Sequence, residues 1–250
     1  MKKTLLIAGA LLALTASMAF AQDGGLRLGW NDCRDAGGLP LRTFACNTNT
    51  NNSITNHQLF ESCITQPGMN SVGSAFMILD IFLQSSTIDP WWQHGASPAC
   101  RLTGKIQTNG TNAAGCAVDY WNLAASGVGS ASSVYSCPSS GPNHSLLRTL
   151  VGISATETSP IPPAQEMFLA NITLLNGSTT TCAGCQIPAC LSLTSATLSQ
   201  NPPDQDVVYT GHQAPPGGLN TVTWQADTGC NNDPTPATKS TWGKIKAIYR

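Results

Sequence analysis

The chain has 250 residues, of which 10% are charged and 41% hydrophobic, with a formal net charge of -1. That length fits one large β domain or two small ones and is enough to bury a core. No basic stripe runs through the body, which argues against nucleic acid as a partner. No segment approaches the ~20 apolar residues of a membrane-spanning helix.

The N-terminus reads as a secretory signal peptide. Lys2 and Lys3 give a positive start, Leu5 to Leu14 a short apolar run, and Ala19-Phe20-Ala21 a small–x–small cleavage pattern. Cleavage after Ala21 would leave 250 − 21 = 229 residues. The expectation is an exported protein, extracellular or at the cell surface, with the periplasm as an alternative. Residues 22–250 are expected to form a single disulfide-rich β-sandwich domain. Loss of two lysines leaves 12 − 2 = 10 basic against 13 acidic side chains. All ten cysteines lie beyond the signal peptide, and an even count in an oxidising compartment predicts disulfides.

Leu26–Trp30 is predicted as a short opening strand. Cys33 and Cys46 bracket a Gly-Gly-Leu-Pro turn, and their proximity suggests a Cys33–Cys46 bridge. Residues 47–56 form a polar Asn/Thr-rich loop. Ser71 to Gln84 is the strongest apolar run, with Phe76, Ile78 and Phe82 on one strand face and Met77, Leu79, Ile81 and Leu83 on the other. Its β-branched and aromatic content, with Thr87 and Pro90 just beyond, favours a long central strand over a helix. Asp80 lies inside it and needs a partner, a backbone amide or an arginine.

Asp89 to Gly95 is a loop carrying Trp91, Trp92, Gln93 and His94. Either one indole is exposed, as a platform for a sugar or a partner protein, or both cap the end of the core. Leu102, Gly104 and Ile106 alternate with polar residues between Cys100 and Cys116, and Asn109-Gly110 marks a turn. Residues 117–125 form one helical turn or a short strand. Gly127 to Ser145 reads as a Gly/Ser/Pro loop carrying Cys137, and Leu146 to Ile153 as a strand.

Thr156 to Pro163, with three prolines, is the best linker candidate. It does not read as a domain boundary, because the residues beyond Pro163 would make a small sheet with one face uncovered. Residues 166–174 alternate like a strand. Leu191 and Leu193 share one parity while Ala196 and Leu198 share the other, which predicts a bulge near Thr194. Val222, Trp224 and Ala226 mark another strand, and Ile245, Ala247 and Tyr249 a half-buried terminal one. About eight to ten short strands with no long amphipathic helix predict an all-β fold, an antiparallel sandwich stapled by disulfides.

Between two of these strands, Cys182, Cys185 and Cys190 place three thiols in nine residues. The Cys-x-x-Cys spacing fits a disulfide oxidoreductase, but a strand comes next where a helix N-terminus should lower the first thiol's pKa. Cys182, Cys185, Cys190 and Cys230 have the number for a zinc site, which export through an oxidising compartment disfavours. Two structural disulfides are preferred, one of Cys182 and Cys185 reaching Cys190 and the other Cys230. That leaves Cys63 for Cys137 and Cys100 for Cys116.

Hydrolase signals are weak. His57, His94, His144 and His212 lie in no metalloprotease or serine-hydrolase motif. The three glutamates, Glu61, Glu157 and Glu166, include no local pair for glycoside cleavage. Asp204-x-Asp206 lacks the remaining oxygen ligands of a calcium loop. Asn-x-Ser/Thr triplets at Asn51, Asn109, Asn143, Asn171 and Asn176 are what a chain this rich in Asn, Ser and Thr produces by chance. No enzyme activity, metal or cofactor is expected.

The alternation over 166–176, the Cys-Ala-Gly-Cys…Cys knot, Thr223-Trp224-Gln225 and the terminal Ser240-Thr241-Trp242-Gly243-x-x-Lys246-x-x-Tyr249-Arg250 resemble a group of exported, cysteine-rich β proteins of uncharacterised function from environmental bacteria. The resemblance implies export and a disulfide-stapled β fold. The strand pattern is also similar to cohesin and immunoglobulin-type sandwiches. The function expected is that of a secreted, non-catalytic structural, adhesive or surface-associated protein, partnered by an extracellular polysaccharide or another surface protein. The alternative is a carbohydrate-binding module built on Trp91 or Trp92 with Gln93 or His94. An extracellular hydrolase would need a histidine and a carboxylate, or two histidines, converging in one cleft.

Overall fold

The computed structural model describes residues 25–47, 57–95, 100–102, 105–111, 113–123, 128–136, 142–153, 160–176, 180–200, 205–211, 218–225 and 230. The expected signal peptide and terminal strand, with Glu157, Asp204, Cys137 and His212, fall outside them.

Eleven of the strands build two sheets that carry the core. The smaller sheet has the order β1-β3-β10-β7, from β1 (Leu26–Trp30), β3 (His57–Ile64), β10 (Glu166–Leu174) and β7 (Ile106–Asn109). The larger contains, in order, β2 (Leu41–Arg42), β13 (Thr221–Trp224), β11 (Ala189–Gln200), β4 (Val72–Leu83), β9 (His144–Ile153) and β8 (Val128–Ser136), with β12 (Val207–Thr210) also pairing β11. Pairing is antiparallel except between β13 and β2 and in the small separate pair β5 (His94–Gly95) and β6 (Arg101–Leu102). A single short helix, α1 (Tyr120–Leu123), occurs among the described residues.

β4 holds the larger sheet together because its neighbours pair along nearly its whole length, β11 on one side and β9 on the other. Its odd residues Ala75, Met77, Leu79, Ile81 and Leu83 are buried against the smaller sheet. The even residues Phe76, Ile78, Asp80 and Phe82 point to the outer face. The predicted bulge is present: β11 shifts register between Leu193 and Ser195 against β4.

Two elements differ from expectation. The Gly/Ser-rich stretch after Gly127 contains β8, a nine-residue edge strand, because β9 offers it a full ladder. β3 has a mixed inner row, His57, Leu59, Glu61 and Cys63, so no apolar alternation announces it.

Three sulfurs of the Cys182–Cys190 knot leave in three directions. Cys182 pairs with Cys100, Cys185 with Cys46 and Cys190 with Cys230, while Cys33 pairs with Cys116. This replaces the expected Cys33–Cys46, Cys100–Cys116 and within-knot pairings. Cys63 is a buried free thiol, not half of a bridge. Sequence proximity misled because the partners lie 40 to 139 residues apart and are joined by sheet packing. With each knot sulfur in a separate bridge, neither a redox dithiol nor a zinc site forms there. Gly184 lets the knot turn: its φ is +103° and an added Cβ would run into Asp89.

Candidate functional site

The knot abuts the loop expected to carry a binding surface. Pro90–Trp92 forms one 3-10 turn, and Trp91 N–H donates to Ala183 O at 2.8 Å. This contact turns both indoles inward, and Trp91 and Trp92 are 1% and 0% exposed. They pack with Trp224 at ring-centroid distances of 4.5 and 5.4 Å, and Trp224 stacks on Phe44 at 4.3 Å. The tryptophan platform for a sugar is therefore absent; the pair caps the core. Gln93 is a strut, its Nε2 donating to Ile88 O at 2.7 Å.

Arg101 completes this aromatic end. Its guanidinium lies over the Trp91 ring at 3.8 Å, with Nη1 donating to Trp91 O and Nη2 to Leu175 O. Aromatic faces and carbonyls, not a carboxylate, compensate the buried charge. Burial pulls the Arg101 pKa down to about 9. His94, at 3.4 Å from Nη1, is held well below the ordinary histidine value by burial and then by Arg101. His57, between Phe44 and Trp224, is lowered to about 3 by burial, Arg101 and Arg42. Both imidazoles are neutral core side chains at physiological pH.

Glu61 is the carboxylic acid on the inner row of β3. It is fully buried, and burial pushes its pKa up to about 8 while the Thr149 hydroxyl across the sandwich pulls the other way. A small apolar cavity between the sheets, lined by residues including Leu59, Leu147, Trp92, His94 and Tyr135, has space for about one water.

A histidine and a carboxylate do converge, on the outer face of the larger sheet. Asp80 Oδ1 lies 2.5 Å from His144 Nε2, and Thr194 Oγ1 donates to Asp80 Oδ2 at 2.6 Å. The β11 bulge delivers Thr194, and the β4–β9 register places His144 beside Phe82, on which it stacks at 4.3 Å. So Asp80 is partnered by an imidazole and a hydroxyl, not by an arginine or a backbone amide. The order is imidazole–carboxylate–hydroxyl. In a hydrolytic triad the imidazole stands in the middle and takes the hydroxyl's proton. Here the hydroxyl donates to the acid, and Asp80 and His144 are both buried, an arrangement that ties three strands.

Beyond this cluster, the same face is apolar and exposed. Register sets Val208, Thr197, Phe76 and Leu150 in one row across β12, β11, β4 and β9, with Val134 and Arg148 in the next. Val134, Val208, Leu150 and Phe76 are 63%, 58%, 43% and 38% exposed, four of the six large apolar side chains exposed among the described residues. This row is the candidate interaction face. No motif marks it; its residues are gathered from four strands.

No family model matches the chain, and no curated protein does. Among solved structures, the chain is similar to a cohesin module from Clostridium perfringens ATCC13124 family 33 glycoside hydrolase, at 10% identity and a TM-score of 0.35. The likeness covers 81% of this chain and 96% of that one. Among the described residues, no helix is long and apolar enough to cross a membrane. Four disulfides fit a protein that matures in an oxidising compartment.

Proposed function

We propose that this protein is an exported, non-catalytic structural or adhesive module, held rigid by its disulfides, that associates with another surface protein through the outer face of its larger sheet. The observation that supports this most is the set of exposed apolar side chains Val208, Phe76, Leu150 and Val134 on two adjacent rows of that face. Three of the four are aliphatic, and one aromatic ring gives little stacking surface for a polysaccharide, so an apolar protein surface is the better fit. The inward placement of His57, His94 and Glu61 agrees with side chains that serve packing and not substrate.

Fractionation of the source cells tests the reading. Retention of the protein with the cell surface after a salt wash, and its release by mild detergent, are expected for an apolar protein contact. A monomer recovered wholly from the culture fluid would overturn it.

A further inference from the structure

The sequence contains two Asn-Gly dipeptides, Asn109-Gly110 and Asn176-Gly177. They look equivalent there, and the fold treats them differently. Asn176 is 1% exposed. Asn109 closes β7 at the margin of the smaller sheet and is exposed. Its Oδ1 accepts two hydrogen bonds, from Thr111 N–H at 2.8 Å and from Thr111 Oγ1–H at 2.7 Å.

We infer that Asn109 is a self-modification site, at which Gly110 and Thr111 drive conversion of the carboxamide to a succinimide and then to an aspartyl or isoaspartyl linkage. The Gly110 amide nitrogen attacks Cγ of Asn109 and gives up its proton to water or hydroxide, forming the N–Cγ bond. The absence of a Gly110 side chain leaves this approach open. Charge develops on Oδ1, where the two Thr111 donors already point, the arrangement that stabilises an oxyanion. The Cγ–Nδ2 bond then breaks, and ammonia leaves with a proton taken from water. Water opens the five-membered ring at either carbonyl. One water is consumed and one ammonia released, with no oxidant or reductant. The product carries a new negative charge at the end of β7, and in the isoaspartyl form an added backbone methylene.

The test uses the full oxidised chain, held at pH 8 and mapped by peptide mass and isoaspartyl labelling. The peptide holding Asn109 is expected to gain about 1 Da. The peptide holding Asn176 stays unchanged until the protein is unfolded in urea with its disulfides reduced. Thr111→Val should slow the Asn109 reaction roughly tenfold, less than the 10²–10³ of a dry enzyme site because the side chains of Asn109 and Thr111 are exposed, although Gly110 between them is buried. Thr111→Ser should restore it. Thr111 is exposed, so these variants leave the fold intact, checked by unchanged thermal unfolding. An inert Asn109, equal rates at Asn109 and Asn176 in the native protein, or a Thr111→Val rate equal to or above the wild type would each overturn the inference.

Discussion

Two buried groups titrate in opposite directions, and together they shape how stability depends on pH. His57 binds its proton at about 3 when folded against 6.5 when exposed, and Glu61 at about 8 against 4.5. Between pH 3 and 6.5 the unfolded chain holds one more proton at His57, so stability falls as the pH drops. Between pH 4.5 and 8 the folded chain holds one more at Glu61, so stability falls as the pH rises. Each difference of 3.5 is worth roughly 5 kcal/mol at 1.36 kcal/mol per pH unit. From 4.5 to 6.5 the two slopes cancel. Outside that window these two groups remove about 2 kcal/mol by pH 8 and about 2 kcal/mol by pH 3. Urea unfolding followed by tryptophan fluorescence across this range, with wild type and Glu61→Gln compared at each pH, isolates the glutamate because other groups cancel. The stability of Glu61→Gln relative to wild type should climb by up to about 5 kcal/mol between pH 4.5 and 8. A difference that does not change with pH would refute the account of Glu61. His57→Gln should show the mirror image, gaining on wild type as the pH falls below 6.5.

The other stability predictions rest on the same packing. Replacing Cys46 and Cys185 together by serine opens the longest loop, with partners 139 residues apart, and should cost about 5 kcal/mol by loop-closure entropy; denaturant midpoints measure it. Trp91→Ala and Trp92→Ala should each cost about 3–5 kcal/mol. An exposed sugar platform would instead give less than about 0.5 kcal/mol. Asp80→Ala leaves the His144 ring and the Thr194 hydroxyl without their shared acceptor and should cost about 2–4 kcal/mol, read from the same unfolding curves. Cys63 should resist a thiol reagent in the native protein and react on unfolding in urea.

The parts of this fold legible in the sequence are those in which local pattern and tertiary role agree. β4 is visible because it is apolar on both parities, as a strand paired on both sides and half-covered outside must be. The parity slip around Thr194 announces a bulge, although its role, aiming a hydroxyl at Asp80, depends on strands that meet only in the sheet. β3 is hidden because its inner row is half polar, and β8 because an edge strand of Ser and Gly takes its order from β9. Both tryptophans are read from one loop, but their burial is decided by the knot 92 residues later, which supplies Ala183 O to Trp91. Disulfide partners are least legible. Bridges join what packing brings together, and the shortest gap in sequence is a poor guide to it.

The same limit applies to the outer face, whose exposed residues come from four strands and form no motif. Its role is tested most directly by Phe76→Lys with Leu150→Lys, compared with wild type for retention on the cell surface after export. Both side chains point outward, so the variant should keep the wild-type thermal unfolding curve. The expected result is a folded variant that appears in the culture fluid while the wild type stays with the cells. Equal retention of a folded variant would contradict the claim that this protein works through that face.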